Sequence, residues 1–119
     1  METQFQVVVE TTEFIVQAKN CMDETSRVEL INYVAANPES GALISGAGGA
    51  RKMRWVIDKN SGKRGGVRIV YYYHNKNIPV FLFTVYRKNK RDNLSRSDRN
   101  TLKSIIKELV KAYGENSHD

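Results

Sequence analysis

Four cations stand at spacings that strand geometry would bring together: Lys52 and Arg54, then Arg68, then Lys88. Side chains alternate faces along a strand, so Lys52 and Arg54 share one face, with Met53, Trp55 and Ile57 on the other. In the next strand-like run Arg68, Val70 and Tyr72 share a face, opposite Val67, Ile69 and Tyr71. In the third, Thr84 and Tyr86 share a face that Lys88 continues if the strand persists. A sheet with helices covering its apolar face would present Lys52, Arg54, Arg68, Tyr72, Tyr86 and Lys88 together on the open face. Cations hold phosphates and aromatic rings stack on bases, so such a groove suits single-stranded RNA. Attack of a ribose 2′-OH on the adjacent phosphate needs proton removal, charge stabilisation on the phosphoryl oxygens and protonation of the leaving 5′-oxygen. Crowded cations can supply all three. A lysine among arginines loses its proton more readily and can act as a base. Arg68 can grip the phosphate with its planar fork, and Lys88 can donate a proton or act as a second clamp. The residues alone leave open a groove that binds phosphates without cutting.

The charge distribution points to the same class of partner. The net charge is +6 over 119 residues, but it is not spread evenly. Residues 1–50 hold two basic and seven acidic side chains, net −5; residues 51–99 hold fourteen basic and three acidic, net +11; residues 100–119 are balanced. A local excess of this size stores self-repulsion that a polyanionic partner would relieve. It falls on strand-like segments rather than on a tail, which argues against a merely solvated face.

Positioning these residues requires a particular order of elements. The length implies one domain over residues 1–119, and a hydrophobic fraction of 40% can fill one core. Phe5 to Glu10 reads as a strand with Phe5, Val7 and Val9 on one side. Thr11 or Thr12 can cap a short helix to about Asn20, and Asp23 a second helix ending near Asn37, ahead of Pro38. Gly41 to Gly49 is a Gly-rich passage. Strands follow at Arg51 to Ile57, Val67 to Tyr73 and Val80 to Tyr86, all rich in β-branched and aromatic residues. Ser95 to Asp98 resembles a capping box. It opens a helix with the stripe Leu102, Ile105, Ile106, Leu109, Val110 and Tyr113, which Gly114 should stop. The expected fold is α+β, in the order β-α-α-β-β-β-α, an antiparallel sheet with helices packed on one face.

Other chemistries are poorly supported. Cys21 is the only cysteine and there are two histidines, which excludes an internal disulfide and argues against a structural zinc site. Asp92 and Asp98 lie among cations and are too few for a two-metal nuclease. Gly46 to Gly49 is not followed by the Gly-Lys-Ser/Thr of a phosphate loop. His74 reads as an exposed turn residue and Cys21 as a packing residue. No run approaches the length of a membrane helix and no signal peptide is evident, so a soluble, cytoplasmic protein without membrane, metal or cofactor is expected.

Three blocks carry a resemblance: Gly46 to Trp55 (GAGGARKMRW), Gly62 to Tyr73 (GKRGGVRIVYYY), and Phe83 to Asn89 (FTVYRKN) with Asp92 and Leu94. Together with the element order they resemble the RelE superfamily of toxins, most closely its HigB branch, over nearly the whole chain. The resemblance implies a type II toxin–antitoxin toxin, a metal-independent endoribonuclease that cuts messenger RNA in the ribosomal A-site and is neutralised by a cognate antitoxin. It assigns Lys52 and Arg54 to the family's basic pair, Arg68 to its phosphate-binding arginine and Lys88 to its further catalytic cation. Arg51, Lys63, Arg64, Arg87, Lys90 and Arg91 are expected to join Tyr72 and Tyr86 in RNA binding. RelE itself has a functional tyrosine near the position of Leu94, so the general base is left unassigned. A ParE-like gyrase inhibitor and a catalytically inactive RNA-binding module are the alternatives; Lys52, Arg54, Arg68 and Lys88 on one face argue against the first.

Overall fold

Two capping side chains set the helices at the N-terminal end. The Thr11 hydroxyl accepts from the Phe14 amide at 3.1 Å and opens α1 (Thr12–Cys21). The same hydroxyl lies 2.9 Å from the Leu82 carbonyl, which ties the cap to the sheet. The Asp23 carboxylate accepts from the Ser26 amide at 2.8 Å and opens α2 (Glu24–Ala36), which ends just before Pro38. The structure, a computed structural model, describes residues 5–57, 66–88 and 94–116.

The sheet has five strands: β1 (Val8–Glu10), β2 (Ala42–Leu43), β3 (Arg51–Val56), β4 (Gly66–Tyr72) and β5 (Val80–Arg87). Their spatial order is β1-β5-β4-β3-β2, so the α+β architecture holds. β2–β3, β3–β4 and β4–β5 pair antiparallel, while β1 runs parallel to β5. The parallel pairing follows from the two-helix connection, which carries the chain across the molecule before β3 begins. β1 is shorter than its apolar run, and Phe5 and Val7 are exposed. The two-residue β2 lies inside the Gly-rich passage and carries no strand signal of its own; it exists because Ala42 and Leu43 meet Lys52 and Arg51. Between β4 and β5 the register skips. Val70 opposes Thr84 and Tyr71 opposes Leu82, which leaves Phe83 as the extra residue of a bulge.

The sheet buries apolar side chains on both faces. On the first, Phe14 and Ala18 of α1 and Leu30 and Val34 of α2 pack against Met53, Val67, Ile69, Tyr71, Leu82 and Val85. On the second, α3 (Arg96–Asn116) lays Leu102 and Ile106 over Val70, Tyr72, Phe81, Phe83 and Tyr86, with Leu94, Ala47 and Ala50 completing the layer. The capping box forms as expected: the Asp98 amide donates to the Ser95 hydroxyl at 3.0 Å and the Ser95 amide to the Asp98 carboxylate at 3.1 Å. Gly114 does not stop α3, which continues to Asn116. A helix tolerates one glycine at a cost of about 1 kcal/mol, here near an end where little else depends on it.

The Gly-rich turn packs under α3. Gly46 and Gly48 both have φ of +71°, a left-handed conformation that side chains resist. A Cβ on Gly46 would meet open space, whereas one on Gly48 would stand 2.9 Å from the Lys103 Cα. Gly46→Ala should therefore cost about 1 kcal/mol of backbone strain. Gly48→Ala adds a backbone clash and should cost about 2–4 kcal/mol. Denaturant unfolding of the two variants measures the difference; equal losses would mean that α3 is not held against this turn.

Candidate active site

The register sets the cations. Arg54 of β3 stands directly opposite Arg68 of β4, and Arg68 opposite Tyr86 of β5. Lys52 lies two residues before Arg54 on the same face, opposite Val70. Lys88 follows the end of β5 by one residue and is exposed. Lys52, Arg54 and Arg68 are thus brought onto one patch, with Arg54 exposed and Lys52 and Arg68 half-buried. Directly opposed like charges on paired strands repel. Neither arginine has an ion-pair partner among the described residues to offset that repulsion.

Several expected RNA-binding residues lie elsewhere. Tyr72 and Tyr86 are on the expected face but are only 6% and 7% exposed, because α3 and Leu94 cover that part of it. Base stacking on an open surface is therefore not available to them as they stand. The Tyr72 hydroxyl instead meets Nδ1 of the exposed His74 at 2.8 Å, and burial pushes its phenol above the ordinary range. Arg51 faces the first core, opposite Tyr71, and its guanidinium donates to the carbonyls of Gly41 at 2.8 Å and Glu39 at 3.1 Å. It is a clamp on the turn before β2. Arg87 opposes Val67 and so points away from the Arg54–Arg68 face. Lys63, Arg64, Lys90 and Arg91 lie outside the described residues. Leu94 is buried in the second core, so packing explains it.

Two depressions lined by cations were not foreseen from the sequence. The larger, about 800 Å³, runs along β3 beside α2 and is lined by Tyr33, Trp55 and Val56 together with Lys52 and Arg54. Tyr33 and Trp55 face each other there with ring centroids 5.5 Å apart. The smaller, about 260 Å³, lies between the Gly-rich turn and α3 and includes Arg96, Arg99 and Lys103. Their spacing of three and four residues was the available signal, since it places all three on one helix flank. No group of three or more metal-ligating side chains occurs among the described residues, and no described helix is long and apolar enough to cross a membrane.

The fold has a counterpart among solved structures. The E. coli toxin RelE, solved in the free state as a double arginine-to-alanine mutant, superposes with a TM-score of 0.56 at 16% identity, covering 82% of this chain and 96% of that one. At that identity the likeness establishes the fold. Residues 15–117 match the family model described as the RelE toxin of the RelE/RelB toxin–antitoxin system, and the chain therefore belongs to the RelE toxin family.

Proposed function

We propose that this toxin is a ribosome-dependent endoribonuclease that cleaves messenger RNA in the A-site, blocks translation in the cytoplasm and is silenced by a cognate antitoxin. The observation that carries the reading is Arg54 opposed to Arg68 beside Lys52, without a carboxylate partner for either arginine among the described residues. Such a patch costs folding energy in the free protein and gains it against a phosphodiester. Within the family, the Gly-Lys-Arg-Gly-Gly-Val-Arg block at residues 62–68 favours the HigB branch.

The chemistry is transesterification. The ribose 2′-oxygen attacks the adjacent phosphorus, the bond from phosphorus to the 5′-oxygen breaks, and a 2′,3′-cyclic phosphate and a 5′-hydroxyl result. Arg68 and Arg54 hold the two non-bridging oxygens as they gain charge. Lys52 and Lys88 carry the proton taken from the 2′-hydroxyl and the proton given to the 5′-oxygen. No step needs a metal, so cleavage should survive chelation as long as the ribosome stays intact. An acidic antitoxin segment would silence the patch by occupying it.

Pulse labelling after induction tests the reading. Amino-acid incorporation should collapse within minutes, with primer extension finding new messenger ends at translated codons. DNA-damage signalling with translation initially intact would instead favour the ParE-like alternative, and a translation block without new RNA ends an inactive RNA-binding module.

A further inference from the structure

Arg96, Arg99 and Lys103 project from one flank of α3 into the depression completed by Ser45, Gly46 and Asn100. No carboxylate lines it, and none of the three cations is ion-paired among the described residues. The opposite flank of the same helix is different: Asp98, Thr101 and Ile105 line a separate depression with Glu13. The helix therefore sorts its charges by side rather than scattering them for solubility. The Gly-rich turn adds a second, independent feature. Gly46 adopts φ of +71°, and the amides of Ser45 and Gly46 make no hydrogen bond within the described chain. Successive amides in such a turn are donors suited to an anion. Close packing of Gly48 on the Lys103 backbone holds turn and helix together, so the two walls of the depression keep a fixed spacing.

We propose that this depression is a second phosphate site, separate from the cleavage patch, that binds an RNA backbone phosphodiester and so helps to dock the toxin on its RNA. α3, which carries the three cations, packs on the sheet face that also bears Arg68. Leu102, one residue from Lys103, packs in the same layer as Tyr86, which stands opposite Arg68. An RNA strand or ribosomal RNA lying over that side would meet both. The RNA as partner rests on the function proposed above, whereas the anion site itself does not.

The test uses the full chain with Arg96→Gln, Arg99→Gln and Lys103→Gln combined, which keeps the methylene packing of each stem. A control of equal charge change carries Lys19→Gln, Lys76→Gln and Lys111→Gln, all exposed elsewhere. Binding is measured against a short 2′-O-methyl oligonucleotide, which cannot be cut, and against vacant ribosomes, each over a range of salt. Removing three phosphate-binding cations should flatten the slope of log K against log salt by about 2, with the control nearly unchanged. Flattening with the oligonucleotide assigns the phosphate to the substrate strand. Flattening with ribosomes alone assigns it to ribosomal RNA. No flattening with either, or equal flattening in the control, overturns the site. If the triple variant melts early, the pair Arg96→Gln and Arg99→Gln, which leaves Lys103 on Gly48, decides with an expected change of about 1.4. Because no cleavage is read, a failure here is distinct from a failure of the proposed activity.

Discussion

Arg68→Ala is expected to lower messenger-RNA cleavage by roughly 10²–10³ while leaving the melting temperature unchanged or slightly raised. The rate effect follows from the charge that the phosphoryl oxygens gain in the transition state, which a preorganised guanidinium meets without reorganisation. The stability effect has the opposite sign because Arg68 stands directly across from Arg54. Removing one of two opposed like charges relieves a repulsion of about 0.2–1 kcal/mol. Arg68 is half-buried rather than core, so its loss opens no closed cavity. Arg68→Lys should recover part of the rate, since it keeps the charge and loses the planar fork. Primer extension and thermal melting on the same preparations decide the matter. Near-normal cleavage in Arg68→Ala would remove this residue from the site, and a large drop in melting temperature would mark it as structural.

Tyr71→Phe should be the reverse case, a large loss of stability from one oxygen atom. The Tyr71 side chain is fully buried in the first core. Its hydroxyl donates to the Pro38 carbonyl at 2.9 Å and accepts from the Gly41 amide at 2.8 Å. Removing it strands a buried donor and an acceptor, at about 1–3 kcal/mol for each buried group left unsatisfied. We expect a total near 2–4 kcal/mol by denaturant unfolding. The pinned turn feeds β2, which pairs with Arg51 and Lys52 of β3, so cleavage should also weaken through Lys52.

The same phenol gives a pH signature. Burial raises the Tyr71 pKa above its ordinary value near 10, outweighing the lowering effect of the Gly41 hydrogen bond. Above that ordinary value the unfolded chain releases the proton and the folded chain keeps it, so stability is fully present below pH 10 and falls as pH rises beyond it. Tyr71→Phe should flatten this alkaline decline, with Tyr72, also raised by burial, accounting for the remainder. An alkaline decline of unchanged slope in the variant would show that Tyr71 is not the buried phenol responsible.

Much of this molecule was legible in the sequence because the relevant rules are local. Strand alternation put Lys52, Arg54 and Arg68 on one face, and the β3–β4 register sets Arg54 directly against Arg68. Thr11, Asp23 and the Ser95–Asp98 pair announced three helix starts, since a cap is satisfied by amides three residues away. What alternation cannot supply is what covers each face. Tyr72 and Tyr86 carry the same periodic signal as Arg68, yet α3 closes over them and leaves the arginines accessible, a choice made between segments far apart in the chain. Arg51 looked like one more cation of the basic run until the fold brought the carbonyls of Glu39 and Gly41 to its guanidinium. The Phe83 bulge and the two-residue β2 likewise exist only through their partners. Which residues could meet a phosphate was written into single segments, because charge and strand period are properties of one stretch of chain. Which of them are free to do so was settled only when the chain folded, because burial and pairing are properties of two stretches packed together.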